Sequence, residues 1–164
     1  MSLYLIFGVA MNTKLRKSLE RISGYEATLE DQISRSTPEI GDLEVFNFKV
    51  QGLIFKCTQI MAPILTVNKI EVSFRFPTQR KQEKSKLYSV INSFNETKVA
   101  MKAVLEKVEK DFFQVSFSIE FMCPDGLVVD EMLHPAVKVL RTGGQLLLAN
   151  LGAHGIAVKD TKND

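Results

Sequence analysis

Phe113, Val115, Phe117, Ile119 and Phe121 alternate with Gln114, Ser116, Ser118 and Glu120. Alternation of this length predicts a strand over Phe112–Cys123 with one face buried. Such a strand needs neighbours to pair with and a cover for its apolar side. Three earlier runs supply partners. From Leu43 to Val50, Phe46, Phe48 and Val50 oppose Asn47 and Lys49; Gln51-Gly52 then fits a tight turn into a run carrying Leu53, Phe55 and Cys57. Ala62-Pro63 interrupts pairing, because proline has no amide to donate. From Val67 to Phe76, Ile70, Val72, Phe74 and Phe76 face inward and Lys69, Glu71, Ser73 and Arg75 face water. Consecutive strands with short links predict an antiparallel meander. Val99, Met101, Ala103 and Leu105 alternate with Lys102 and Glu106, and Glu109-Lys110-Asp111 fits the turn that returns the chain to Phe112.

Other stretches carry helical spacing. Asn12 or Thr13 can cap a helix, and Leu15, Leu19, Ile22, Leu29 and Ile33 follow at largely helical intervals, with a weak point at Ser23-Gly24 and an end at Ser36-Thr37-Pro38. Its basic residues, Lys14, Arg16, Lys17 and Arg21, read as a solvated face. Leu87, Val90, Ile91 and Phe94 form the stripe of a second helix, entered through a charged, solvated first turn and ending near Asn95, a residue that tolerates the left-handed conformation. Cys123-Pro124-Asp125-Gly126 is a stop. Asp130 can cap a turn through Leu133, and Pro135 suits the start of a longer helix with Val137, Leu140 and Leu147 inward. Gly143-Gly144 inside it signals a kink or the close approach of another backbone. The order is α-β-β-β-α-β-β-α. The expected fold class is α+β, a two-layer sandwich on an antiparallel sheet of about five strands. Residues 12–151 form the single domain, 1–11 an apolar leader and 152–164 a flexible tail.

Composition narrows the function. At 164 residues the chain can bury a real core, and 21 basic against 19 acidic residues leave a net charge of +2. That balance argues against nucleic acid or an anionic membrane as partner. The leader is too short to span a bilayer and lacks the flanks of a signal peptide. It reads as a packed segment, or as an extension upstream of a natural start at Met11, and a cytoplasmic location is expected. Cys57 and Cys123 have no CxxC spacing and lie in strand runs, so buried free thiols are expected. His134 reads as a cap beside Pro135, His154 lies in the tail, and adjacent Asp130 and Glu131 diverge on a helix. No nucleotide-binding or nucleophile-elbow motif occurs. No catalytic residue, metal ligand or cofactor is assigned, and the chain is read as a non-enzyme.

The element order is similar to the type III secretion chaperone-like fold. Within it, Lys69–Phe76, the segment Val90-Ile91-Asn92-Ser93-Phe94-Asn95 and the hairpin after it resemble the YbjN family of bacterial proteins, a family associated with sensory-transduction regulation. The likeness spans roughly residues 40 to 150. It implies a non-catalytic regulator or chaperone-like adaptor. Secretion chaperones of this fold are commonly homodimers, so the likeness implies a homodimer here; they also tend to be acidic, where this chain is slightly basic. The first functional reading is therefore a module that binds a partner polypeptide on an apolar groove or sheet edge. Phe55 belongs to the sheet surface available for that, and the leader from Leu3 to Phe7 is itself a candidate occupant. The alternative is a small-molecule-binding regulator with a pocket between sheet and helices, for which Arg75, Tyr88, Asn92 and Asn95 are the candidates. Asn92 and Asn95 also have a structural reading: one amide binds backbone at the helix end and the other bridges helix to sheet.

Overall fold

A computed structural model describes residues 14–29, 33–37, 41–62, 64–124 and 130–159. The elements are α1 (Lys14–Leu19), β1 (Tyr25–Thr28), β2 (Ile33–Thr37), β3 (Gly41–Val50), β4 (Leu53–Met61), β5 (Leu65–Pro77), α2 (Lys84–Thr97), β6 (Lys102–Val108), β7 (Phe112–Pro124) and α3 (Asp130–Ala153). The class is the expected α+β with an antiparallel sheet. Its strand order is β1-β3-β4-β5-β7-β6, and β2 also pairs with β3. β1 takes the Phe48–Val50 end of β3 and β2 the Gly41–Val45 end, so the two short strands share one edge.

These two strands correct the first helix. Helical spacing runs only as far as Leu15, Leu19 and Ile22, which are buried in the core. Gly24 then takes a φ of +83°, a conformation glycine adopts without steric cost, and turns the chain out of the helix. Tyr25–Thr28 completes β3 instead, where its backbone groups gain ladder bonds that a continued helix would have made locally. Leu29, assigned to the helical stripe, is exposed.

The other elements follow the pattern closely. Gln51 and Gly52 both have positive φ, 48° and 79°, as a two-residue hairpin turn requires. The register places Phe46, Phe48, Phe55, Cys57, Ile70, Val72, Phe117 and Ala103 on one face. That face joins Leu15 and Leu19 of α1, Leu87, Val90, Ile91 and Phe94 of α2, and Leu133, Val137, Leu140 and Leu147 of α3 in a single core. Three helices therefore roof one side of the sheet. β6 begins only at Lys102, and Val99, placed in a strand by its parity, is exposed in the turn before it. α3 runs unbroken through Gly143-Gly144. What approaches closely there is aromatic, not backbone: a Cβ on Gly143 would lie 2.8 Å from the Phe117 ring, and one on Gly144 3.0 Å from the Phe74 ring.

The leader falls outside the described residues. Of the segment expected to be a flexible tail, 152–153 close α3, Ile156 is buried in the core, and the Lys159 amide donates to the Pro77 carbonyl at 2.9 Å.

Candidate functional site

The five residues proposed from sequence occupy separate places. Phe55 is fully buried and stacks on Phe48, with ring centroids 5.2 Å apart. Asn95 spends its amide on β6: Nδ2 donates to the Ala103 carbonyl at 3.0 Å, and the Ala103 amide donates to Oδ1 at 2.7 Å. It bridges helix to sheet from inside α2, not from a left-handed position at its end. Asn92 is exposed one turn away. Arg75 lies on the open face of the sheet with its guanidinium 3.6 Å from the Phe112 ring centre. Tyr88 is half-exposed and shares a shallow cleft with Leu105, Lys107 and Val108. Between α2 and the sheet the space is filled by Leu87, Val90, Phe94 and Phe117, all buried.

A different constellation emerges from the lengths of β6 and β7. β6 pairs with β7 from Phe113 only as far as Ser118. β5 pairs with β7 along its whole length, to Pro124. Among the described residues, Ile119–Met122 pairs with β5 and has no rung of β6 opposite it, so this stretch of β7 is a sheet edge. Directly above it the first turns of α3 leave a cleft of about 270 Å³, lined by Ile119, Phe121, Met132, Pro135, Ala136 and Val139 among others. Met132 and Val139 are 39% and 38% exposed, and Met122 on the strand is 69% exposed. Pro135 lies inside α3. Having no N–H, it leaves the Glu131 carbonyl, at the same cleft, without its intrahelical donor. A strand edge and an apolar cleft thus coincide.

The same end of the sheet carries a buried polar row. Glu44, Gln59, Asn68 and Phe121 are successive cross-strand neighbours. Arg16 of α1 donates from Nε to Glu44 Oε1 at 2.8 Å and lies over the Phe46 ring. Gln59 Nε2 donates to Asn68 Oδ1 at 2.8 Å. Glu44 Oε2 and Gln59 Oε1 are buried without a protein partner among the described residues. The Arg16–Glu44 ion pair ties α1 to the sheet at this row. Burial pushes the neighbouring Cys57 thiol well above its ordinary pKa, and the Glu44 charge adds to this against the opposing effect of Arg16. Both Cys57 and Cys123 are buried free thiols, as expected.

Periodicity held a trace of this row. Glu44 is in phase with Phe46 and Phe48, and Asn68 with Ile70 and Val72, so polar residues sit on the apolar parity. The cleft was harder to see, because Met132 and Val139 lie off the inner stripe of α3 and stand out only as surplus apolar positions on a helix already supplied with a core face.

No family model and no curated protein matches the sequence. Among solved structures, the fold is similar to that of YbjN from E. coli. That protein is described as a suggested transcription regulator; the likeness has a TM-score of 0.46 at 11% identity and covers 89% of this chain and 93% of YbjN. Among the described residues, no helix is long and apolar enough to cross a membrane. No group of three or more His, Cys, Asp or Glu side chains among them converges as metal ligands would.

Proposed function

We propose that this chain is a non-catalytic adaptor, regulatory or chaperone-like, that holds an extended apolar segment of a partner polypeptide along Ile119–Met122. The observation that carries the reading is the coincidence of an open strand edge with an apolar cleft beside it. An added strand would satisfy the outward amides and carbonyls of β7 and place alternate side chains in the cleft. Each apolar side chain fully buried there contributes roughly 1.5–3 kcal/mol before the cost of ordering. β6, which forms the sheet edge beyond, is guarded by Lys102, Glu106 and Lys107, whereas the open stretch of β7 carries Glu120 as its one charge.

Co-purification with the tagged chain tests this. Val139→Arg puts a charge in the cleft, and Leu148→Arg puts the same charge on a part of α3 that lines a separate cleft near Phe76 and Val158. A polypeptide retained by wild type and Leu148→Arg but lost with Val139→Arg supports the reading. Equal retention by all three overturns it.

A further inference from the structure

We infer that the cleft between α3 and the end of β5 binds a small organic carboxylate with an aromatic or short acyl body. The inference is independent of the strand-edge reading, because the two clefts share no lining residue. Shape, exposed apolar surface and charge lead there.

The cleft has a volume of about 300 Å³ and is bounded by Phe74, Phe76, Gly144, Leu148 and Val158, a size at the low end for small-molecule sites. Its walls are fixed. Phe76 is buried and stacks on Phe113 with ring centroids 5.1 Å apart, and Phe74 meets Phe117 edge-on at 5.7 Å. The chain after α3 is tied back at two points: the Ile156 amide donates to the Leu151 carbonyl and the Lys159 amide to the Pro77 carbonyl, both at 2.9 Å. Val158, between these ties, is held beside the end of β5. A ligand entering here meets walls that need no ordering step.

The apolar lining is only partly covered. Leu148 is 42% exposed, and Phe74 and Val158 pack against the core without being buried in it. Gly144 keeps the strand side of the cleft open, since a Cβ there would press on the Phe74 ring. Covering this surface with the apolar body of a ligand is favourable.

Charge selects the other end of the ligand. Arg141 and Lys159 stand at the cleft, and among the described residues no carboxylate lines it. The sequence has no Asp or Glu from Val72 to Gln82 or from Met132 to Lys159, although these stretches hold Arg75, Arg80, Lys81, Lys138, Arg141 and Lys159. Arg141 donates to the Gln51 side-chain carbonyl, a neutral partner. Glu26, the carboxylate that meets this turn through the Gly52 amide, pairs with Lys49 instead. Arg75 also borders the cleft, but its guanidinium lies over the Phe112 ring on the open face of the sheet. Arg141 and Lys159 thus offer positive charge beside apolar walls, which suits one anionic group on an apolar body. The planar guanidinium matches a carboxylate, and the cleft lies along α3 rather than at a helix N-terminus, away from the amides that cradle phosphate.

The test is titration of the full chain with octanoate and with phenylacetate, read by calorimetry and by amide chemical shifts at Gly144, Gln145 and Lys159. At least one of the two acids is expected to saturate with a Kd of about 1 mM or tighter. Octanamide and inorganic phosphate, which each lack one half of the recognition, should bind at least about tenfold more weakly. Arg141→Gln should weaken the acid at least about tenfold while the shifts elsewhere in the sheet stay as in wild type. Leu148→Asp should abolish binding, and Lys159→Gln gives a second test of the charge should either variant fail to fold. No saturation by either acid up to about 10 mM overturns the inference. Equal affinity for octanamide or for phosphate overturns it as well, because the site would then not read a carboxylate on an apolar body. Affinity unchanged in both Arg141→Gln and Lys159→Gln, or shifts confined to residues outside the cleft, places the acid elsewhere and has the same consequence.

Discussion

Asn95 shows how much one side chain can decide. Its amide meets both the N–H and the C=O of Ala103, as a neighbouring strand would, and so ties the end of α2 to the start of β6. Asn95→Ala leaves a half-buried N–H and C=O without that partner and is expected to cost about 1–3 kcal/mol in chemical denaturation. Asn95→Asp keeps the acceptor and loses the donor, so it should fall between. Equal stability of all three proteins would show that the bridge contributes nothing. Glycines in α3 make a second residue-scale contrast. Gly143→Ala gains helix propensity but drives a methyl into the buried Phe117 ring, and a net loss of about 1–3 kcal/mol is expected. Gly152→Ala meets nothing within 4 Å and should stabilise by up to about 1 kcal/mol. Thermal unfolding of the pair separates the steric effect from propensity; a gain from both would refute the close approach.

Among the elements, β5 and β7 form the spine, paired over thirteen register positions from Leu65–Pro124 to Pro77–Phe112. The edges are lighter. β1 has only four residues and is tied down by Glu26, which pairs with Lys49 at 2.7 Å and accepts from the Gly52 amide. The Lys49 hydrogen bond, and then that of Gly52, hold the Glu26 carboxyl below its ordinary pKa of 4.5. A depressed folded pKa means the contribution is complete above the unfolded value and is lost as pH falls through the folded one. Wild type should therefore exceed Glu26→Gln in stability near neutrality, with the gap closing as pH drops below 4.5. A gap that stays constant across that range would remove the carboxylate from the account. Because the pair is exposed, salt should narrow the gap too.

As a whole molecule, the protein is a sheet with one face roofed by three helices and one strand that outruns its neighbour. The overhang of β7 past β6 makes an edge stretch that faces an apolar cleft without a row of charges. Val139→Arg and Leu148→Arg both alter partly exposed positions, so both should fold with stabilities within about 0.5 kcal/mol of wild type. Partner retention should nevertheless differ between them. A large loss of stability in Val139→Arg alone would mean that the cleft belongs to the core.

The sequence by itself determined the class of fold, the face of each long strand, and the inner stripes of α2 and α3. It could do so because burial on one side imposes a period of two on strands and of about three and a half on helices, and both are read locally. Tertiary structure decided the rest. Tyr25–Thr28 mixes strand formers with helix formers, and its fate depended on an open edge of β3 about twenty to twenty-five residues away. Asn95 found its partner across a turn, not at its own helix end. The cleft exists because β6 starts late against β7 and because α3 crosses above the gap, two facts of register and packing that no stretch of chain carries alone.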